Sequence, residues 1–165
     1  MSVEPTTFKA LMGRFPSGVT AVTVVDDEGD HGMTASAFTS VSLDPPLVLV
    51  CVNRSARLHD KLVSRGVFAI NVLDAAQESV SNRFAGWWEE GRSKWADLEV
   101  EPGPVSGAAW IGGALASFDC RLHAAHDGGD HTIFVGEVVA ARLNDQERDA
   151  LRPLIYFAGR YRQLS

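Results

Sequence analysis

A strict alternation of apolar and polar side chains between Phe118 and Ala124 constrains the fold of this chain more than any other feature. A period of two is typical of an antiparallel strand that has one face in the core and the other in solvent. The turn sequence DGGD follows at 127–130, and apolar residues then return with the same period between Ile133 and Leu143. The pattern therefore predicts a long β-hairpin with one buried face.

The rest of the chain predicts several shorter strands, because β-branched residues or continuous apolar runs recur between turn residues. These strands are expected at 19–25, from about 31 onward, at 47–52, at 67–73 and at 153–157. They do not alternate regularly with crossover helices, which disfavours a doubly wound parallel sheet. We expect a mainly β fold, an antiparallel barrel with peripheral helices.

Helical periodicity is confined to three short segments. The first apolar helical face, which we expect to cover the core, contains Phe8, Leu11, Met12 and Phe15. A second helix is predicted from Ser55, acting as its N-cap, to Gly66, which closes it. A third apolar face contains Ala76, Val80 and Phe84. The irregular segment 86–113, which holds all four tryptophans, predicts a long surface excursion.

Length and charge set further bounds on the fold and function. The 165 residues suit a single domain spanning residues 1–165. A net charge of −6 argues against a nucleic-acid partner, which requires a basic surface. No apolar run is long enough to cross a membrane, and residues 1–15 do not read as a secretory signal. The chain has two cysteines, Cys51 and Cys120, which lie far apart in the sequence. We expect both to be reduced thiols rather than a disulfide, and we therefore expect a cytoplasmic protein.

The most unusual stretch runs from Gly32 to Pro46, with the sequence GMTASAFTSVSLDPP. It is rich in small hydroxyl residues and ends in a rigid diproline. Small residues let a flat ligand approach the backbone, and their N–H and O–H groups satisfy the polar edges of a bound ring. An ordinary Ser/Thr-rich strand and loop is the alternative, and residue chemistry alone leaves both open.

A second candidate is the sequence CVNRS at 51–55, which ends a buried strand and precedes a helix. A helix N-terminus presents free N–H groups and a partial positive charge, which suits a phosphate. Asn53, Arg54 and Ser55 add side-chain donors. The alternative is a plain helix cap beside a solvated arginine.

Two further segments contain residue types that recognise ligands. The sequence GDH at 129–131 places a histidine beside an aspartate in a glycine-rich turn, where it either binds a ligand edge or is solvated. We expect no metal, because no standard tetrahedral site has the spacing of His123, His126 and His131. The sequence SNRF at 81–84 contains Arg83. This arginine either contacts a phosphate or carbonyl group of a ligand, or it is an ordinary surface side chain.

Seven segments in this order resemble the flavin reductase family with the FMN-binding split-barrel fold. These proteins are short-chain reductase components of two-component flavin monooxygenases. The resemblance runs from Phe8 to Leu164 and implies an antiparallel Greek-key barrel. The segments are FKALMGRFPSGVTAVTVV at 8–25, GMTASAFTSVSLDPPLVLVCV at 32–52, NRSARLHDKL at 53–62, FAINVL at 68–73, SNRFAG at 81–86, GDHTIFVGEV at 129–138 and PLIYFAGRY at 153–161.

The resemblance also implies which residues bind the cofactors. The isoalloxazine ring is contacted, largely through main-chain groups, by Thr34, Ala35, Ser36, Ser40, Val41 and Ser42. The ribityl chain and phosphate are bound by Cys51, Asn53 and Ser55, and the flavin pocket is completed by Arg83 and Phe84. The nicotinamide site is shaped by Asp130 and His131, with His131 as the candidate catalytic residue. Nothing is implied for 86–113.

The implied activity is hydride transfer from NADH or NADPH to FMN or FAD, with the reduced flavin supplied to a partner flavin-dependent monooxygenase. The cofactor supplies the chemistry, and backbone N–H groups stabilise charge at the ring edges. Family members are typically homodimers. Two alternatives stay open, because a fold alone does not fix a function. One is a flavin-binding protein of the same fold without fast reductase activity, and the other is an interaction domain without a ligand.

Overall fold

The computed structural model describes residues 2–164, which form three α-helices, twelve strands and two 3₁₀ turns. The helices are α1 (Pro5–Met12), α2 (Arg57–Arg65) and α3 (Glu78–Phe84), and the 3₁₀ turns are Ala75–Gln77 and Arg148–Ala150. The strands are β1 (Ser17–Gly18), β2 (Thr20–Asp26), β3 (Gly29–Ala35), β4 (Phe38–Leu43), β5 (Pro46–Asn53), β6 (Val67–Val72), β7 (Val100–Pro102), β8 (Ala109–Ile111), β9 (Ala116–Gly128), β10 (His131–Leu143), β11 (Ile155–Phe157) and β12 (Arg160–Arg162). The predicted mainly β fold with peripheral helices is confirmed.

Seven strands form the main sheet in the order β3-β2-β6-β9-β10-β5-β4, and each neighbouring pair is antiparallel. The predicted long hairpin is β9–β10, whose strands have 13 residues each and turn at Gly129 and Asp130. Its register shifts between Val135 and Gly136 and again beyond Val138. Such bulges increase the local twist, which helps a sheet to curl.

The connection between β3 and β4 requires this sheet to curl into a barrel. These two strands are the opposite edges of the sheet, yet only residues 36–37 separate them in sequence. The three peptide steps from Ala35 to Phe38 span at most about 11 Å, so the two edges must approach each other there. Each edge strand has a strand neighbour on one side only, so main-chain groups on its other side are available to a ligand.

Strands of the main sheet and α2 supply the core of the barrel. The largest fully buried side chains in it are Phe68, Phe134, Leu62 and Ile70. Leu58 and Leu62 attach α2 to this core. α2 ends at Arg65, and Gly66, which was predicted to close the helix, is its C-cap and adopts the left-handed conformation. Truncation of a side chain such as Leu62 to alanine typically costs about 2–5 kcal/mol of stability.

The predicted role of α1 as a cover for the core is wrong. α1 has no buried residue, and 51–69% of the surface is exposed at Phe8, Leu11, Met12 and Phe15. Helical periodicity identifies an apolar face but not the partner that covers it. Leu58 and Leu62 of α2 pack on the barrel core, whereas the apolar face of α1 lies at the surface of this chain.

The irregular segment 86–113 contains a short hairpin in which β7 pairs with β8. The segment is attached to the barrel partly through Ala108 and Trp110, which pack with Ala69 in a small buried cluster. Among residues 2–164, no helix is long and apolar enough to cross a membrane.

Candidate functional site

Thr34, Ala35 and Ser36 lie where the chain leaves edge strand β3 and crosses to the other edge of the barrel. The Thr34 hydroxyl donates to the Ser81 carbonyl at 2.6 Å, which ties β3 to α3. Ala35 is buried, and its carbonyl accepts from the Thr20 hydroxyl at 2.7 Å. Ser36 is exposed. The first two residues thus fix the backbone, while Ser36 presents its polar groups outward.

Ser40, Val41 and Ser42 lie on β4, the opposite edge. Ser40 is opposite Val48 and Ser42 is opposite Leu47, so Val41 is the extra residue of a bulge. A bulge on an edge strand turns main-chain N–H and C=O groups out of the ladder. This geometry fits the main-chain ligand contacts that were predicted for the stretch.

A cavity of about 610 Å³, which we call the first cavity, opens beside this crossing. Residues 36–39, Leu49 and Cys51 form one wall, and the other is formed by α1 side chains together with the end of β11 and the turn 158–159. Its volume is typical of small-molecule sites. Cys51 is half-buried, and burial raises the pKa of its thiol. The Cys51 thiol, which lines the first cavity, is therefore uncharged near pH 7.

The junction between β5 and α2 differs from the prediction in one detail. The N-cap of α2 is Ala56, not Ser55, and no side chain caps the helix. The reason is a local turn in which the side-chain Oδ1 of Asn53 accepts from the N–H and the hydroxyl of Ser55, at 2.8 and 2.7 Å. The first N–H groups of α2 are therefore not satisfied by a capping side chain, which is the arrangement that favours an anion.

The ladder between β5 and β10 brings the GDH turn beside this junction. His131 lies opposite Asn53, and Ile133 lies opposite Cys51. Directly opposed residues of an antiparallel pair share one face of the sheet, as do residues two apart along a strand. His131, Asn53 and Cys51 therefore lie on the same face, although 80 positions separate His131 from Cys51 in the sequence.

Asp130 and His131 form a close polar pair at the start of β10. Asp130 Oδ1 lies 2.6 Å from His131 Nδ1, and this hydrogen bond lowers the pKa of the Asp130 carboxyl. Arg54 fastens the turn, since its N–H donates to the Asp130 carbonyl at 3.0 Å and its guanidinium to Asp127 at 2.7 Å. The His131 side chain is 40% exposed. The pair thus presents an oriented imidazole whose Nε2 makes no hydrogen bond to residues 2–164.

Phe84 packs against β3, whereas Arg83 contacts the segment that follows α3. The Arg83 guanidinium donates to the Ala96 carbonyl at 2.6 Å and lies 4.1 Å from the centre of the Trp88 ring. It therefore anchors the segment that follows α3. Phe84 is buried, and its ring lies so close to Gly32 that a Cβ there would come within 2.8 Å of it. Glycine at position 32 thus allows α3 to pack directly on β3.

A second cavity of about 390 Å³ lies next to Phe84. Its walls are residues 30–33 of β3, residues 56–58 at the start of α2, residues 84–86, and the side chains of Lys94 and Trp95. Sequence reasoning missed these last two residues because segment 86–113 has no periodicity. The only available signal was the concentration of tryptophans in that segment, which suggests a covering role but not a contact partner.

Several of the predicted residues lie along the split between β3 and β4 and on the adjoining face of β5 and β10. Ser36 and Cys51 line the first cavity, and Asn53 and His131 share the face of Cys51. Phe84 lines a different cavity, and Arg83 contacts the segment after α3. The region offers outward-facing main-chain groups, a mostly apolar cavity and an uncapped helix start. This set fits a flavin, whose ring has polar edges and an apolar face and whose ribityl chain ends in a phosphate.

Comparisons with known proteins agree with this geometry. The sequence model of the family described as "Flavin reductase like domain" matches residues 12–165. A relative named NADH-dependent FAD reductase, from Streptomyces globisporus, is 41% identical over 95% of this chain and 84% of its own length. The reductase component of 4-hydroxyphenylacetate 3-monooxygenase from Thermus thermophilus is 43% identical over 95% of both chains. The solved structure of the Streptomyces globisporus NADH:FAD oxidoreductase SgcE6 with NAD and FAD fragments has a TM-score of 0.88 and 39% identity, covering 100% of this chain and 97% of that one.

Proposed function

Because this chain belongs to the flavin reductase-like domain family, we propose that it uses NADH to reduce FAD or FMN and supplies the reduced flavin to a partner monooxygenase. Relatives are named for NADH-dependent FAD reduction, for NADH-dependent FMN reduction and as a monooxygenase reductase component, so this proposal covers both flavins. We propose that the whole chain, residues 1–165, acts as one domain.

One observation carries the proposal, namely the register of β5 against β10. The flavin-associated residues Cys51 and Asn53 and the nicotinamide-associated residue His131 share one face of neighbouring strands. A reductase must hold two ring systems in contact, so its two sets of binding residues have to converge. A protein that only binds flavin does not require a second, oriented group such as His131 beside the ring.

The residues of the chain supply binding and electrostatics. A bound flavin accepts the hydride of a reduced nicotinamide, so that step belongs to the cofactors. Main-chain N–H groups of 34–36 and 40–42 donate to the polar edges of the ring and stabilise negative charge there. Asn53, Ser55 and the start of α2 bind the ribityl chain and phosphate. Phe84 and Cys51 supply apolar and neutral contacts.

His131 is the candidate catalytic residue and is proposed to seat the nicotinamide. Asp130 engages Nδ1, so Nε2 points away from that contact and remains free to bind a ligand group. Asp130 in turn is held by Arg54 through its main chain. The imidazole is thereby oriented before the nicotinamide arrives, which reduces the entropy lost on binding.

We further propose that two copies of this chain associate as a homodimer through the apolar face of α1. Four large apolar side chains of α1 and its C-terminal extension are more than half exposed, and Met12 and Phe15 also line the first cavity. An exposed apolar patch of this kind marks an interaction site. A second copy packing on it would exclude water from one side of the first cavity. The free thiols of Cys51 and Cys120 are consistent with the reducing cytoplasm.

The experiment that tests the proposed activity is steady-state oxidation of NADH and NADPH with FMN, with FAD and without added flavin. Fast oxidation that depends on flavin and prefers NADH supports the reductase. Flavin binding without oxidation would instead support a flavin-binding protein of the same fold. Neither binding nor oxidation would contradict both.

A further inference from the structure

The two walls of the first cavity come from distant parts of the chain. Residues 36–39, which follow β3, belong to one wall, and Tyr156 on β11 belongs to the other. We call them the crossing wall and the hairpin wall. Main-chain N–H groups stabilise charge on a bound ring only when they are already held where that charge develops. The relative position of the two walls therefore decides how well the N–H groups of 34–36 meet a ring between them.

Tyr161 on β12 supports the hairpin wall. It lies directly opposite Tyr156, and the two rings meet edge-on with centres 5.5 Å apart and planes inclined by 68°. Tyr156 is 40% exposed, whereas Tyr161 is half-buried and packs against the buried cluster that contains Val80 and Phe84. Edge-to-face aromatic pairs attract each other beyond the area that they bury. Tyr161 thus fastens the Tyr156 ring to the barrel.

The hydroxyl of Tyr161 connects the hairpin wall to the strand that leads into the crossing wall. Tyr161 Oη lies 2.8 Å from Oγ of Ser81, a fully buried residue of α3. The Ser81 carbonyl accepts from the Thr34 hydroxyl at 2.6 Å, and Thr34 lies two residues before Ser36. Buried hydroxyl groups are almost always hydrogen-bonded, and Tyr161 supplies the partner of this one. Three successive contacts therefore link Tyr156 to Thr34.

We propose that Tyr161 is a positioning residue for the flavin ring. Through Ser81 and Thr34, its hydroxyl holds the two walls of the first cavity in register before a ring binds, and the role requires no contact between Tyr161 and the ring. Without this hydrogen bond the aligned arrangement becomes one of several, and the apparent affinity falls in proportion to its population. The inference rests on the proposed function, since it needs the flavin ring to lie in the first cavity.

The test compares wild type, Tyr161→Phe, Ser81→Ala and the double variant, each as the full chain. Both single substitutions break the same hydrogen bond, and neither removes the Ser81 carbonyl or Thr34. Fluorescence quenching measures the Kd of riboflavin and of FMN. We expect each single variant to raise both constants about fivefold, a change of the size that one hydrogen bond contributes, and the double variant to raise them no further. The matched control is Ser79→Ala, which changes an exposed serine of the same helix and should leave both constants unchanged.

The pattern of losses separates a positioning role from a purely structural one. Riboflavin and FMN should lose the same factor, because they share the ring and differ in the phosphate. The KM for NADH should stay unchanged, because His131 lies on β10 and outside this chain of contacts. Urea unfolding of the same preparations measures stability, which a structural contact would lower without changing the Kd of the folded protein.

Wild-type flavin affinity in both single variants would overturn the proposal. Losses that add in the double variant would overturn it too, because the two hydroxyls would then act separately, and so would a loss confined to FMN. Ser81→Ala leaves the aromatic packing intact, so it tests the proposal even if Tyr161→Phe fails to fold. Failure of the wild type to bind either flavin would instead refute the proposed function itself.

Discussion

His59 Nε2 lies 2.8 Å from the hydroxyl of Thr132, and this contact joins the first turn of α2 to the start of β10. Thr132 is buried, and His59 also packs edge-on against Phe134 with ring centres 5.4 Å apart. The contact lies between the two proposed nucleotide sites, because α2 begins at the phosphate site and His131 directly precedes Thr132. It therefore couples the position of His131 to that of α2.

We expect Thr132→Val to weaken this coupling. The substitution keeps the shape of the side chain but leaves a half-buried imidazole nitrogen without its partner, which costs about 1–3 kcal/mol of stability. The KM for NADH should rise more than the Kd for flavin, because His131 is the neighbouring residue. Thr132→Ser retains the hydroxyl and is the control, which should restore the KM. Equal effects of Val and Ser on the KM would argue against a role for the hydrogen bond.

His131→Ala should raise the KM for NADH about tenfold, which corresponds to about 1.4 kcal/mol of binding free energy. The Kd for flavin should stay unchanged, because the proposed ring contacts are main-chain groups of other strands. Steady-state kinetics and flavin titration of the same preparation measure the two effects. A variant with wild-type NADH kinetics would remove His131 from the nicotinamide site.

Ser55→Ala should weaken the binding of FMN more than that of riboflavin, which lacks the phosphate. The Ser55 N–H still donates to Asn53 in this variant, so the local turn is retained and only the hydroxyl is lost. The Ser55 hydroxyl donates to Asn53 Oδ1 in this structure and would have to rotate to donate to the phosphate. Loss of that one hydrogen bond to a charged group predicts a rise of about tenfold in the Kd of FMN. If both flavins lost the same affinity, Ser55 would have a structural role and no phosphate contact.

Asp26→Asn should change how stability depends on pH. Hydrogen bonds from Lys61 and from His31, the latter at 2.8 Å, hold the pKa of the Asp26 carboxyl well below its ordinary value of 3.8. Because the folded-state pKa is the lower one, the stabilisation is complete above the unfolded-state pKa and is lost as the pH falls through the folded-state value. The variant should therefore be less stable than wild type at neutral pH, with a shallower decline in acid.

Urea unfolding midpoints from neutral pH down to about pH 3, below the ordinary pKa of an aspartate, measure this effect. Asp27→Asn is the matched control, since Asp27 is the exposed neighbour and forms no ion pair within residues 2–164. Parallel curves for Asp26→Asn and the wild type would show that the Lys61–Asp26–His31 cluster does not stabilise the fold.

Leu11→Glu should dissociate the proposed homodimer, because it places a charge in the middle of the exposed apolar face of α1. Ala10→Glu adds the same charge on the opposite side of the helix and should leave the dimer intact. Light scattering on the eluted protein measures the mass of each variant. A monomeric wild type, or a dimer that tolerates Leu11→Glu, would contradict the interface.

Local patterns in the sequence were enough to predict the β9–β10 hairpin, because alternation of side chains follows directly from the geometry of a strand. They also located the small-residue stretch that becomes the two edges of the barrel. These local patterns could not identify which elements pack against each other. The helical period of α1 predicted burial without identifying what covers it, and the turn between Asn53 and Ser55 displaced the expected N-cap by one residue. The second cavity is lined by residues of β3, α2 and segment 86–113. These segments are far apart in the sequence, so no local pattern could predict that they meet.

Anaerobic mixing of this protein and FAD with NADH tests the central claim most directly, because it follows the absorbance of the flavin itself. The oxidised flavin should bleach in a fast phase that requires the protein and is slowed in His131→Ala at low NADH. Flavin that stays oxidised, or bleaches no faster than in a mixture without protein, would contradict the assignment of this site as a flavin reductase.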